Sequence, residues 1–183
     1  MVMVRYLVFI FICLLLSIGW IAQGQKENFL TYKNFHNEIR IQYPSDWIKS
    51  EENRIISFKS PDVGHASSVS LQTSNLSVSN MSLNMLIKKN IDTQRYYFTN
   101  FSLVESTLNN TESKEPYIII FTYKNRYSPV EFKSMQVWNS NNNNIYLITY
   151  TSQADDFDRY LPIIKYMINS FEIIKKPNRI VIK

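Results

Sequence analysis

The chain has 183 residues, a formal net charge of +5, 45% hydrophobic residues and 19% charged residues. That length suits one domain plus a short targeting segment, and the composition excludes a disordered chain. The basic residues are scattered rather than gathered among aromatics, which argues against a nucleic-acid partner and for a solvated surface with weak attraction to anionic membranes.

Residues 1–24 read as an address. Arg5 supplies a positive start, and residues 6–22 are almost wholly apolar. Ala22-Gln23-Gly24 places small residues where a signal peptidase looks, which predicts cleavage after Gly24. The alternatives are a retained membrane anchor, because the apolar run is close to the lower length limit for spanning a bilayer, and a buried helix of the domain. Cys13, the one cysteine, lies inside this run, so the body of the chain carries no thiol for a disulfide, a nucleophile or a metal. Residues 25–174 are expected to form the domain and residues 175–183 a basic tail. The sequons at Asn75, Asn80, Asn100 and Asn109 support export and are candidate glycosylation sites.

Taken in order, residues 29–32 predict an entry strand at an edge. Ile39, Ile41 and Tyr43 alternate with polar residues, the period of a half-buried strand. Pro44-Ser45-Asp46 is a turn, and Trp47 falls where it lids the core. Strands follow at residues 55–59 and around Val69 and Leu71. Ser82 caps a helix whose apolar face is Leu83, Leu86, Ile87, Ile91 and Phe98. Four strands are predicted at residues 101–108, 117–127, 130–138 and 144–152, with residues 139–144 as a turn. Residues 117–123 and 145–150 are apolar on both faces, so these strands belong mid-sheet, with a layer on either side. Asp155 and Asp156 open a last helix with an apolar stripe from Phe157 to Phe171. Pro162 either kinks its first turns or marks a start near Leu161. Residues 172–183 are read as tail. Strands, helix, strands, helix predict an α+β fold with an antiparallel sheet flanked by helices.

Chemistry-bearing motifs are sparse. Gly64 is the only glycine after Gly24, so there is no phosphate-cradling loop. His36 and His65 lack metal spacing and read as exposed loop residues. Asp155, Asp156 and Asp158 are candidate oxygen ligands for a hard cation, with helix capping as the plainer explanation. Tyr96, Tyr97 and Trp138 are candidates for an interaction surface, against core packing as the plainer explanation. No residue is assigned a catalytic role.

Several segments together resemble the PsbP family, whose plant member is an extrinsic photosystem II protein. They are Tyr32-x-Asn34, Ile39-x-Ile41-x-Tyr43-Pro44-x-x-Trp47, Ile56-x-Phe58 and Ser68-Val69-Ser70-Leu71. The apolar strand 145–149, Phe157 and the closing Ser170-Phe171 complete the likeness, which covers residues 29–173. The resemblance implies an α-β-α sandwich, export across a membrane and a non-enzymatic role in assembling a membrane complex or binding an envelope partner. In photosynthetic relatives it implies calcium or manganese retention. The expected state is a monomer. Competing readings are a hydrolase of envelope polymers and an extracytoplasmic carrier of a metal or small ligand.

Overall fold

The structure, a computed structural model, describes residues 28–65, 67–76, 81–108 and 116–175. The N-terminal address, the sequons' Asn80 and Asn109, and the tail beyond Lys175 lie outside the described residues.

A seven-stranded antiparallel sheet is the middle layer. Its strands are β3 (Ile48–Glu52), β4 (Ile55–Lys59), β5 (Ser68–Asn75), β6 (Thr99–Ser106), β7 (Tyr117–Lys124), β8 (Glu131–Asn141) and β9 (Asn144–Gln153). The order is β3-β4-β5-β9-β8-β7-β6. β3 to β5 form one meander and β6 to β9 another; they meet at the antiparallel β5–β9 pair. A second sheet has three strands in the order β1-β2-β10: β1 (Phe29–Asn34), β2 (Ile39–Pro44) and β10 (Glu172–Ile173). Helix α1 (Leu83–Tyr97) links the two meanders, and α2 (Phe157–Asn169) follows a 3-10 turn at Ala154–Asp156.

Period-two alternation along the central strands builds two cores. Tyr146, Ile148 and Tyr150 of β9, with Met135 and Val137 of β8, face one side. There they join Ile56, Phe58, Val69 and Leu71 and are covered by α2 and by Ile39, Ile41 and Tyr43 of β2. Ile145 and Trp138, with Ile119, Phe121 and Tyr123 of β7, face the other side under Ile87 and Ile91 of α1. The result is the expected α+β architecture, an α-β-α sandwich whose α2 layer is widened by the small sheet. Ser82 caps α1 as expected, its hydroxyl accepting from the Met85 amide at 3.3 Å.

Three local readings need correction, and the open choice about the start of the last helix is decided. The asparagine run is a tight hairpin: β8 extends to Asn141, β9 starts at Asn144, and Asn142 and Asn143 alone turn the chain. Their φ values of 47° and 65° are the left-handed pair of a two-residue hairpin, which asparagine tolerates. The same device at Asn53 (φ 49°) and Arg54 (φ 67°) creates β3, absent from the sequence reading. Helix α2 starts at Phe157, with Pro162 inside it, because Phe157 and Tyr160 are buried and hold the first turn. Glu172 and Ile173 leave the predicted tail and pair with Arg40 and Ile39 of β2. Among the described residues no helix is long and apolar enough to cross a membrane.

Ile164 is 0% exposed in the α2 core, whereas Ile48 on edge strand β3 is 65% exposed. Ile164→Ala should therefore lower stability by roughly 2–5 kcal/mol in urea unfolding. Ile48→Ala should change it by less than about 0.5 kcal/mol.

Candidate functional site

One end of the domain carries a cleft of about 450 Å3 where the β2–β3 turn, the β4–β5 loop and the start of α2 converge. The Trp47 amide donates to the Pro44 carbonyl at 3.1 Å, closing the turn, and the Ser45 amide donates to the Asn28 carbonyl at 2.7 Å. The turn tucks Trp47 into the core at 5% exposure, edge-on to Tyr160 with ring centroids 6.1 Å apart. These two aromatics form the floor, and Asp46, Asp62 and Arg159 line the walls.

The β4–β5 loop is pinched at its base. The Ser60 amide donates to the Ser67 carbonyl at 2.9 Å, and the Ser67 amide donates to the Ser60 hydroxyl at 3.0 Å. Gly64 has φ +93°, a backbone that L side chains rarely adopt, although space for a Cβ is open. The loop is then tied to the entry of α2. Gln153 Nε2 donates to the Gly64 carbonyl at 2.7 Å. The Asp62 carboxylate accepts from the Tyr160 hydroxyl and, at 3.3 Å, pairs with the Arg159 guanidinium. His65 Nδ1 lies 2.7 Å from Asp156 Oδ2, and since a carboxylate only accepts, that nitrogen carries the proton. Val63 at the tip is 98% exposed.

The three acidic candidates are not gathered into one site. Asp156 engages His65, Asp158 approaches Lys133 at 3.9 Å, and Asp155 is exposed. Among the described residues no group of three or more His, Cys, Asp and Glu side chains is placed to hold a metal ion. Asp156 makes no capping hydrogen bond either, because its side chain turns to the loop. His65, read as a bare loop residue, is therefore a tether.

Tyr96 and Tyr97 are 72% and 60% exposed at the end of α1, their rings edge to face at 5.1 Å. Trp138 does not join them. It is 7% exposed, packed under α1, and its Nε1 donates to Gln136 at 3.2 Å, so it is a core residue. Asn75 and Asn100 are both exposed; Asn100 has φ 52° where β6 shifts register. The sequence reading missed Asp62, Arg159 and Tyr160 as a site. Its available signal was the spacing of Asp156, Arg159 and Tyr160, which at i, i+3 and i+4 share one helical face.

The architecture matches several solved structures. The chain has the PsbP fold. Cyanobacterial PsbP from Synechocystis sp. PCC 6803 superposes with a TM-score of 0.57 at 11% identity, over 86% of this chain and 99% of that one. The Ran-binding protein Mog1p of Saccharomyces cerevisiae gives 0.58 at 8% identity, over 82% and 97%. LpqN, described as involved in cell envelope biogenesis of Mycobacterium tuberculosis, gives 0.50 at 8% identity, over 83% and 87%. No family model matches the chain, and no curated protein is similar to it in sequence.

Burial raises the phenols of Tyr32, Tyr123, Tyr146, Tyr150 and Tyr160 above the ordinary 10.0, and at Tyr160 the Asp62 carboxylate pushes the same way. The unfolded chain thus releases these protons first. Stability is full below about pH 10 and falls as pH rises beyond it. Urea midpoints taken from about pH 8 to about pH 11 should show this decline, and Tyr150→Phe should flatten it.

Proposed function

We propose that this chain is an exported, non-enzymatic binding module of the PsbP-like kind, holding a protein component of a membrane complex or of the cell envelope at its end cleft. The observation that carries the reading is the composition of the cleft. A buried aromatic floor, Trp47 and Tyr160, lies beneath a rim with charges of both signs. On that rim the Asp62 side chain is 39% exposed and the Arg159 side chain 59%. Protein interfaces concentrate binding energy in such aromatic and arginine anchors with a polar surround. The apolar address in residues 6–22 supports a place of action beyond the cytoplasmic membrane. Two of the fold's neighbours, one described as Ran-binding and one as acting in envelope biogenesis, fit the same kind of role.

The test is site-specific photocrosslinking of the full chain in its own membranes. A crosslinker in place of Val63, at the loop tip, should give a discrete protein adduct, whereas one in place of Phe35 should not. Asp62→Ala combined with Arg159→Ala should reduce the Val63 adduct at least about tenfold, the weight of one lost anchor. An adduct of equal yield from both positions, or one indifferent to the double variant, would overturn the reading.

A further inference from the structure

Helix α1 has two faces of different character. Ile87 and Ile91 are buried against the sheet. The opposite stripe carries Met85, Lys88, Lys89, Asp92 and Tyr96, at spacings of three, four and seven residues that put them on one side. Met85, Tyr96 and Tyr97 are 56%, 72% and 60% exposed, large apolar surface that the domain itself does not use. Beside the end of the helix stands the β7–β8 turn, where Tyr127 is 98% exposed and Arg126 donates to the Tyr96 carbonyl at 3.5 Å. Charge on this side is net positive, with Asp92 the one carboxylate among Lys88, Lys89, Arg95 and Arg126. Asp92 pairs with Arg95 at 3.2 Å, while Lys88, Lys89 and Arg126 enter no ion pair among the described residues.

We propose that the outer face of α1, with the adjoining tyrosine and arginine of the β7–β8 turn, lies flat on an anionic lipid bilayer. The chemistry of each group fits that occupant. Tyrosine rings settle at the headgroup level, with the body of the ring toward the acyl chains and the hydroxyl in water. Lysines lay their methylene stems along apolar surface and lift the ammonium to the phosphates. A helix lying in the interface plane presents just such a mixed stripe. Unpaired cations near a negative leaflet add attraction that falls off within a Debye length. An acidic protein would satisfy Lys88, Lys89 and Arg126 but would leave Met85 and the two tyrosines without an apolar counterpart. This surface is separate from the cleft, and it goes beyond the partner binding proposed there.

The test is a depth measurement on the full chain with Cys13→Ser, so that introduced cysteines carry the only spin label. Met85→Cys and Tyr97→Cys report the α1 face, and Val63→Cys reports the cleft end. The chain is reconstituted in phosphatidylcholine vesicles with or without phosphatidylglycerol. Accessibility is read by power saturation with oxygen, which partitions into lipid, and with a nickel chelate, which stays in water. With phosphatidylglycerol present, the labels at Met85 and Tyr97 should lose nickel accessibility several-fold and gain oxygen accessibility, while the Val63 label stays in water. Lys88→Gln with Lys89→Gln, or high salt, should reverse the change. Labels that stay nickel-accessible on anionic vesicles would overturn the proposal. So would equal depth in vesicles lacking phosphatidylglycerol, or shielding without vesicles, which would mean the chain covers its own face. Shielding by a soluble glutamate-rich peptide but not by vesicles would overturn it in favour of an acidic protein. The cleft variants Asp62→Ala and Arg159→Ala leave this readout unchanged, so failure here is distinct from failure of the partner reading.

Discussion

The structure depends on one constraint: β9 is apolar on both of its faces and must be covered twice. Tyr146, Ile148 and Tyr150 point to one side, Ile145 and Leu147 to the other. A strand of that kind is stable only in the middle of a sheet with a layer above and a layer below. α1 supplies one layer, and α2 with β2 supplies the other. The chain order follows. α1 leaves β5 beside the centre and delivers the chain to β6 at the far edge, from which the second meander returns until β9 closes against β5. The outer strands are left as edges, and their sequences suit that position. β3 carries Lys49, Glu51 and Glu52 and is exposed throughout, and β6 is broken by register shifts, both of which discourage pairing with another chain.

The same buried layer positions the cleft. Tyr150 of β9 donates from its hydroxyl to the Phe157 carbonyl at 2.9 Å, and the two rings pack at 4.7 Å. That contact fixes where α2 begins, and so fixes Asp156, Arg159 and Tyr160 relative to the sheet. The loop from β4 then has a rigid surface to bind. His65, Gly64 and Asp62 each reach a different residue of the α2 entry. The cleft walls thus come from a turn, a loop and the first residues of α2, all anchored to the hydrophobic core. Such preorganisation lowers the ordering cost of binding, because the groups that meet a partner already stand in place.

What the sequence disclosed and what it hid follow from the same physics. β2 and β9 were legible because burial of one or both faces writes an apolar pattern into the chain. β3 was not, because none of its residues is buried and no alternation is needed. Its hairpin depends on Asn53 and Arg54 in the left-handed region, a weaker signal than an asparagine–glycine pair. The asparagine run looked like a loop because polar composition resembles loop composition, whereas only Asn142 and Asn143 turn. Trp138 was an interaction candidate for its aromatic ring alone, and the plainer alternative of core packing holds, because its position on β8 turns it beneath α1. The cleft was the least legible part. It joins Asp62 to Tyr160, 98 residues apart, and no local pattern encodes that meeting. The acidic trio had the opposite fault: adjacency in sequence suggested a shared ligand, but the turn into α2 sends Asp156 and Asp158 to different partners.

The sandwich also separates its two candidate surfaces. α1 and α2 cover opposite faces of one sheet, so the outer side of α1 and the cleft at the α2 entry belong to different layers of the domain. They differ in chemistry as well. The α1 side gathers lysine, arginine and exposed tyrosine around one carboxylate, Asp92, while the cleft end gathers Asp46, Asp62, Asp155, Asp156 and Asp158 with Arg159, Lys133 and a histidine tether. If the α1 face meets an anionic bilayer as proposed, the carboxylates at the cleft end would be repelled from the same surface. A domain so oriented would keep its cleft turned away from lipid and open to the partner proposed for it.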